Sequence, residues 1–293
     1  MSKSIVYKPP IVVAEIGCNH KGEMEIAKEL VQMAKLCQAH YAKFQKRNPQ
    51  ELLTTKQYNA QHPYPPYSYG HTYGEHREFL EFTKEQHQQL KDYCEQVGIG
   101  YATSVWDITS ALEIIDLNPD YIKVPSACNL HFEMLELLRD NYQGDIHISF
   151  GMTTREEENS IVDFFLEKNA GQRLVLYSCT SGYPVSFDDV NLLEITRIRE
   201  VFGEHVKDLG FSGHHLGIAI DQAAYTLGAS WIERHFTKDR TWKGTDHAAS
   251  LELGGLQKLI RDLTATYKSL QYKTQDILEV ETVQRDKLKY RKE

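Results

Sequence analysis

A chain of 293 residues with 41% apolar and 25% charged side chains can bury a substantial core, as one large domain or two small ones. Its formal charge of −8 argues against nucleic acid or an anionic membrane as a main partner, and an anionic substrate must then be met by locally placed Lys and Arg. Five scattered cysteines with no CxxC pair, an opening MSKSIVYKPP without a signal-type apolar core, and no run of membrane-spanning length lead us to expect a reduced, cytoplasmic chain.

In chain order the first element is a short buried strand, IVVAE at 11–15. EMEIAKELVQMAKLC follows, with Ile26, Leu30, Met33 and Cys37 on one helical face. YAKFQ (41–45) predicts a second strand. Residues 46–82 form the longest irregular stretch, rich in Tyr, His, Pro and Gly, and that aromatic content predicts an ordered lid rather than a disordered linker. Helical and strand patterns then alternate: KEQHQQLKDYCEQVG, IGYATS (99–104), SALEIIDLN, YIKVPS (121–126), LHFEMLELLRDN, DIHISF (145–150) and EEENSIVDFFLEKN. The series continues with RLVLYS (173–178), VNLLEITRIREVFG, KDLGFS (207–212), LGIAIDQAAYTLG, SWIERHF (230–236) and LGGLQKLIRDLTATYKSLQ. Several helical segments stop at Gly or Asn. Eight strand–helix repeats predict an α/β (β/α)₈ TIM barrel over residues 1–275, a single domain, followed by a charged tail or linker at 276–293. A doubly wound sheet is the main rival.

A barrel gathers its functional residues at the C-terminal ends of the strands. Those ends read Glu15, Lys43 with Gln45, Thr103 with Ser104, Lys123 with Ser126, Ser149, Ser178 to Ser181, Ser212 with His214, and Glu233 with His235. Two lysines set in apolar strands and several hydroxyls describe a pocket for phosphate and carboxylate. His214 and His235 end the last two strands, and two imidazoles there can share a divalent metal while leaving positions open. Taken alone, a histidine is more often structural than a ligand, and spacing by itself leaves that role open for both.

AEIGCNHKG (14–22), KFQ (43–45), TYGEHREFLEF (72–82), CTSGYP (179–184), GFSGHHLGIAI (210–220) and IERHFTKDRTWKGTDHAASLE (232–252) together resemble the sialic acid synthase family. They are most similar to its animal-type branch, whose members use a sugar 6-phosphate. The resemblance implies a TIM barrel that condenses phosphoenolpyruvate with a mannose-type aldehyde sugar, N-acetylmannosamine or mannose. The product is a nine-carbon 3-deoxy-2-ulosonic acid, released with inorganic phosphate. It implies that Lys123, Ser126, Ser149, Ser181 and Ser212 hold phosphoenolpyruvate, with Lys43 and Ser104 nearby. It further implies a divalent metal (manganese, or magnesium or cobalt) on His214 and His235, and sugar contacts from Gln45, Tyr183 and Asp246. On this reading His235 and Asp246 act on the sugar, Glu15 is the expected base or orienting carboxylate, and a homodimer is the expected assembly.

Two departures stand out. Cys128 occupies a position where the family usually carries a sugar-contacting carboxylate. The chain also ends on EVETVQRDKLKYRKE, about where the family's small antifreeze-like domain begins. A missing cation from that domain would be supplied by Lys287, Lys289 or Arg291. The alternatives are a related ulosonate synthase with another acceptor, and a weakened sugar- or metal-binding barrel acting as a partner subunit.

Overall fold

The computed structural model describes residues 5–290. Its strands are β1 Ile11–Gly17, β2 Tyr41–Lys46, β3 Gly100–Val105, β4 Tyr121–Val124, β5 Asp145–Ser149, β6 Leu174–Cys179, β7 Asp208–Gly213 and β8 Trp231–His235. They pair in parallel, each with the next, and β8 pairs with β1 to close the barrel. The predicted fold is therefore the observed one, and the doubly wound alternative is excluded by closure.

The helices are α1 Met24–Leu36, α2 Pro49–Leu52, α3 Thr55–Tyr58, α4 Tyr73–Leu80, α5 Lys84–Val97, α6 Ile108–Leu117, α7 Phe132–Asn141, α8 Arg155–Leu166, α9 Leu193–Phe202, α10 Ala219–Thr226, α11 Leu253–Ser269 and α12 Glu279–Leu288. Thr83 caps α5 reciprocally with Gln86, and Gly98 ends that helix at φ 76°, a left-handed position that suits glycine. In α1 the buried face is Ala27, Leu30, Val31 and Ala34. The predicted stripe is thus rotated: Leu30 and Cys37 are buried, while Ile26 and Met33 pack only partly against the core. No helix among the described residues is long and apolar enough to cross a membrane. All five cysteines are free.

Side chains alternate between the two faces of each strand, so one face of the barrel strands fills the interior. Val13, Ala102, Tyr121, Val175, Tyr177 and Trp231 form a cluster there, separate from the two larger ones beneath the helices. The next alternate positions above this plug are Glu15, Lys43, Lys123 and Glu233. The register levels them, with Glu15 opposite Lys43, Ser104 opposite Lys123, and Ser212 opposite Glu233.

Residues 46–82 are more regular than expected, since they hold α2, α3, a short 3₁₀ turn and α4. Helix α4 starts at Thr72, whose hydroxyl accepts from Glu75 N while the Glu75 carboxylate accepts from Thr72 N. Gly74 lies against the Tyr58 ring with no room for a Cβ, and Gly22 of the β1–α1 loop lies equally close to the carbonyl of Phe79. The stretch at 276–293 carries α12, none of whose residues is buried. Lys287 and Lys289 are exposed there, and Arg291 lies outside the described residues.

Candidate active site

At the floor of the mouth two ammonium groups meet two carboxylates, all buried. Lys43 Nζ lies 2.5 Å from Glu15 Oε2 and 3.6 Å from Glu233 Oε1, and donates to Ser104 Oγ at 2.9 Å. Lys123 Nζ donates to Glu233 Oε1 at 2.6 Å, and Ser212 Oγ reaches the same oxygen at 3.3 Å. Gln45 Nε2 donates to Glu15 Oε1 at 2.9 Å. The partners that buried lysines require are thus the barrel's own carboxylates.

The two carboxylates differ in proton affinity. Burial pushes Glu15 up, against the pull of Lys43. Burial would also raise Glu233, but Lys123 and Lys43 outweigh it and hold its carboxyl at about 2. Burial likewise disfavours the charge on both lysines. Glu15 and Glu233 reverse that at Lys43 and push it up, whereas Lys123 stays lowered, with Lys43 adding to the effect. Divergent environments of this kind separate a group that carries protons from one that carries charge.

Beside this floor, Gly151 N donates to Ser126 Oγ at 3.0 Å. A Cβ on Gly151 would fall 2.5 Å from Ser181 Oγ and 2.6 Å from Ser126 Oγ, so only a glycine leaves both hydroxyls and the amide in one cradle. Asn129 braces it, donating to the carbonyl of buried Ser149 at 2.9 Å and to Thr153 Oγ1 at 2.7 Å.

His214 and His235 stand together, ring centroids 5.4 Å apart, with the Tyr183 ring 4.3 Å from His214. His214 Nδ1 lies 3.0 Å from the Thr180 carbonyl, which assigns its proton there and makes Nε2 the candidate ligand nitrogen, while the ring also hydrogen-bonds the Cys179 side chain. His235 Nδ1 is buried without a hydrogen-bond partner and lies 3.9 Å from Asp246 Oδ2. Burial holds His235 below the ordinary imidazole value, the direction that favours the neutral form a ligand needs. Burial would raise Asp246, but His235 and Thr245 outweigh it and keep it low. Two imidazoles side by side, with His235 Nδ1 buried and unpartnered, fit a divalent cation. No larger cluster of His, Cys, Asp and Glu converges among the described residues, so further positions on such a cation would fall to water or substrate.

Gln45, Tyr183, His235 and Asp246 line a cavity of about 560 Å³. Its outer wall comes from the lid and the β8–α11 loop and includes Tyr69, Arg77 and Lys243, with Arg47 and Trp106 beside them. Arg47 is neutralised by Glu81 at 2.6 Å. Arg77 donates to Tyr73 OH at 2.9 Å, the Lys243 ammonium lies 4.6 Å from the Tyr69 ring centroid, and among the described residues neither forms an ion pair. The aromatic stretch after β2 is thus an ordered wall of the cavity.

Of the residues named from the sequence, Glu15, Lys43, Gln45, Ser104, Lys123 and Ser212 meet at the floor, and Ser126 and Ser181 share the Gly151 cradle. Gln45, Tyr183, His235 and Asp246 line the cavity, with His214 against Tyr183, and Cys128 joins none of these groups. That thiol is buried in the apolar cluster with Val105, Val124 and Met134 and is not among the residues lining the cavity; packing, not the mouth, takes it up. The reading of the strand ends assigned no role to Glu233 or Arg77. Glu233 could have been found by counting charges, because two buried lysines need two anions and β8 supplies the second. Arg77 sits inside the quoted TYGEHREFLEF motif, but only the fold shows that it faces a cavity.

Residues 30–275 match the model of the NeuB family. The human N-acetylneuraminate-9-phosphate synthase is 37% identical over 96% of this chain and 76% of its own length. The N,N'-diacetyllegionaminic acid synthase of Legionella pneumophila is 31% identical over 90% of this chain and 75% of its own. The N-acetylneuraminic acid synthetase structure from Leptospira borgpetersenii superposes with a TM-score of 0.79 at 24% identity, covering 97% and 94% of the two chains. With the barrel, its mouth and these likenesses in agreement, the chain belongs to the NeuB family of sialic acid synthases.

Proposed function

We propose that this enzyme condenses phosphoenolpyruvate with a phosphorylated mannose-type aldehyde sugar, N-acetylmannosamine 6-phosphate or mannose 6-phosphate. The product is a nine-carbon 3-deoxy-2-ulosonic acid 9-phosphate, formed with release of inorganic phosphate. The observation that carries this reading is the continuity of the mouth. Buried Lys43 connects through Glu15 and Gln45 to the cavity and is joined to Lys123 by Glu233. The cavity's outer wall holds Arg77 and Lys243, cations without an ion pair among the described residues.

The two lysines and the Ser126–Gly151–Ser181 cradle bind the carboxylate and phosphate of phosphoenolpyruvate. Gln45, Tyr183 and Asp246 orient the acceptor, and low-pKa Asp246 acts as a hydrogen-bond acceptor rather than a base. Arg77 and Lys243 hold the sugar phosphate at the end of the cavity remote from the aldehyde. His214 and His235 would hold a divalent cation (manganese, magnesium or cobalt) that supplies Lewis-acid polarisation of the aldehyde oxygen when bound. Carbon 3 of phosphoenolpyruvate bonds to the aldehyde carbon as the C=O π pair moves onto the aldehyde oxygen. Water adds at carbon 2, and the carbon 2–oxygen bond to phosphate breaks to leave the ketone. One proton of the water ends on the new hydroxyl and the other leaves with phosphate and its bridging oxygen. Glu15, raised by burial, takes the proton of that water.

The test is phosphate release with phosphoenolpyruvate and each metal, offering mannose, N-acetylmannosamine and their 6-phosphates, with product masses read in parallel. Release with a phosphosugar is the expected result. Release with free sugars only would overturn the phosphorylated acceptor, and silence with all four would overturn the synthase reading.

A further inference from the structure

Lys43 and Lys123 are held differently. Lys43 has Glu15 at 2.5 Å and Ser104 at 2.9 Å, besides a distant share of Glu233 at 3.6 Å. Lys123 has Glu233 at 2.6 Å and shares that carboxylate oxygen with Lys43. Its second support is an aromatic face: the ammonium lies 4.1 Å from the centroid of the Tyr177 ring. That ring is itself anchored, because its phenol oxygen lies 3.0 Å from Nδ1 of His147 on the neighbouring strand. His147 is fully buried, stacked on Tyr121 at 3.8 Å and edge-on to Trp231 at 4.6 Å.

We propose that Tyr177 and His147 are positioning residues for the anion site, the ring of Tyr177 holding the Lys123 ammonium and His147 fixing the ring. This rests on the reading that Lys123 contacts phosphoenolpyruvate. The physical reason for a ring is charge economy. A third carboxylate would hold Lys123 as firmly but would repel the incoming carboxylate and phosphate. A ring face attracts the ammonium through its quadrupole and presents no net charge to the substrate. The imidazole must be neutral for the same reason, and burial holds it well below the ordinary histidine value.

The experiment replaces Tyr177 with phenylalanine and with its mono-, di- and trifluorinated analogues, which weaken the quadrupole at nearly constant shape. KM for phosphoenolpyruvate is expected to climb with each fluorine, about tenfold across the series, while the acceptor KM and the urea midpoint stay constant. Tyr177→Phe and His147→Phe are each expected to raise that KM about threefold, and the double variant no further, because both remove the same anchor. Calorimetric titration of Lys123→Met with phosphoenolpyruvate runs alongside. A flat fluorine series with weakened binding to Lys123→Met overturns this proposal alone. Undiminished binding to Lys123→Met overturns the assignment of Lys123 and the proposal with it.

Discussion

Glu15 and Glu233 sit on adjacent strands of one barrel, yet burial raises the first while two lysines hold the second near 2. A carboxylate that recovers a proton easily suits a base, and one that stays charged suits a counterion. Glu15→Gln is therefore expected to lower kcat by about a hundredfold or more with little change in either KM, measured by steady-state phosphate release. Near-normal turnover would remove Glu15 from the chemistry. Arg77→Ala is expected to act the other way, raising KM for the phosphosugar about tenfold or more while leaving any turnover of the free sugar as it was. Equal effects on both acceptors would show that Arg77 does not contact the phosphate. Most of this site was legible in the strand-end residues, because a barrel delivers every strand end to one mouth. The pairings were not legible, because that of Lys43 with Glu15 depends on the register of two neighbouring strands and that of Lys123 with Glu233 on β4 and β8 meeting across the interior. Cys128 misled for a related reason: its position in a motif cannot reveal that the side chain turns into the apolar cluster.

At the scale of elements, the eight strands were readable because each is a short apolar run ending in a polar residue. Helix α4 was not, since Gly74 falls in its first turn and its sequence is polar and aromatic. What makes it a helix is the Thr72–Glu75 cap together with tertiary packing on Tyr58, a partner that lies outside the helix. The rotated stripe of α1 has a similar cause: Ala27 and Ala34 face the sheet, where small side chains let the helix approach closely. Because α4 carries Arg77 into the cavity, its stability is expected to bear on acceptor binding under the proposed function. Thr72→Ala removes one half of the cap and is expected to cost about 1 kcal/mol locally. Hydrogen exchange in residues 72–80 is then expected to quicken by about fivefold, with a higher KM for the acceptor and an unchanged KM for phosphoenolpyruvate. Exchange that quickens throughout the barrel instead would show that the lid is not a separate unit of stability.

At the scale of the whole molecule, the four charges at the floor span β1, β2, β4 and β8 and so cross the seam where β8 closes on β1. Their titration is therefore coupled to folding. Glu233 binds a proton at about 2 in the folded chain against 4.5 for an ordinary glutamate, so between those values the unfolded chain holds more protons. Its contribution to stability is complete above pH 4.5 and is lost as the pH falls toward 2. Glu15, raised by burial, contributes with the opposite sign: what it adds is present in acid and is lost as the pH rises through its folded value. Urea unfolding followed from pH 2 to 7 is accordingly expected to show a steep acid limb that Glu233→Gln flattens. At pH 7 the variant Lys123→Met leaves the buried carboxylate of Glu233 with the more distant Lys43 as its remaining lysine, besides the Ser212 hydroxyl, a loss of about 3 kcal/mol or more. The double variant Lys123→Met with Glu233→Gln is expected to recover part of that loss, because no uncompensated charge is left at the seam. An acid limb of the same slope in wild type and Glu233→Gln would show that other carboxylates, and not the floor of the mouth, set the acid stability of the barrel.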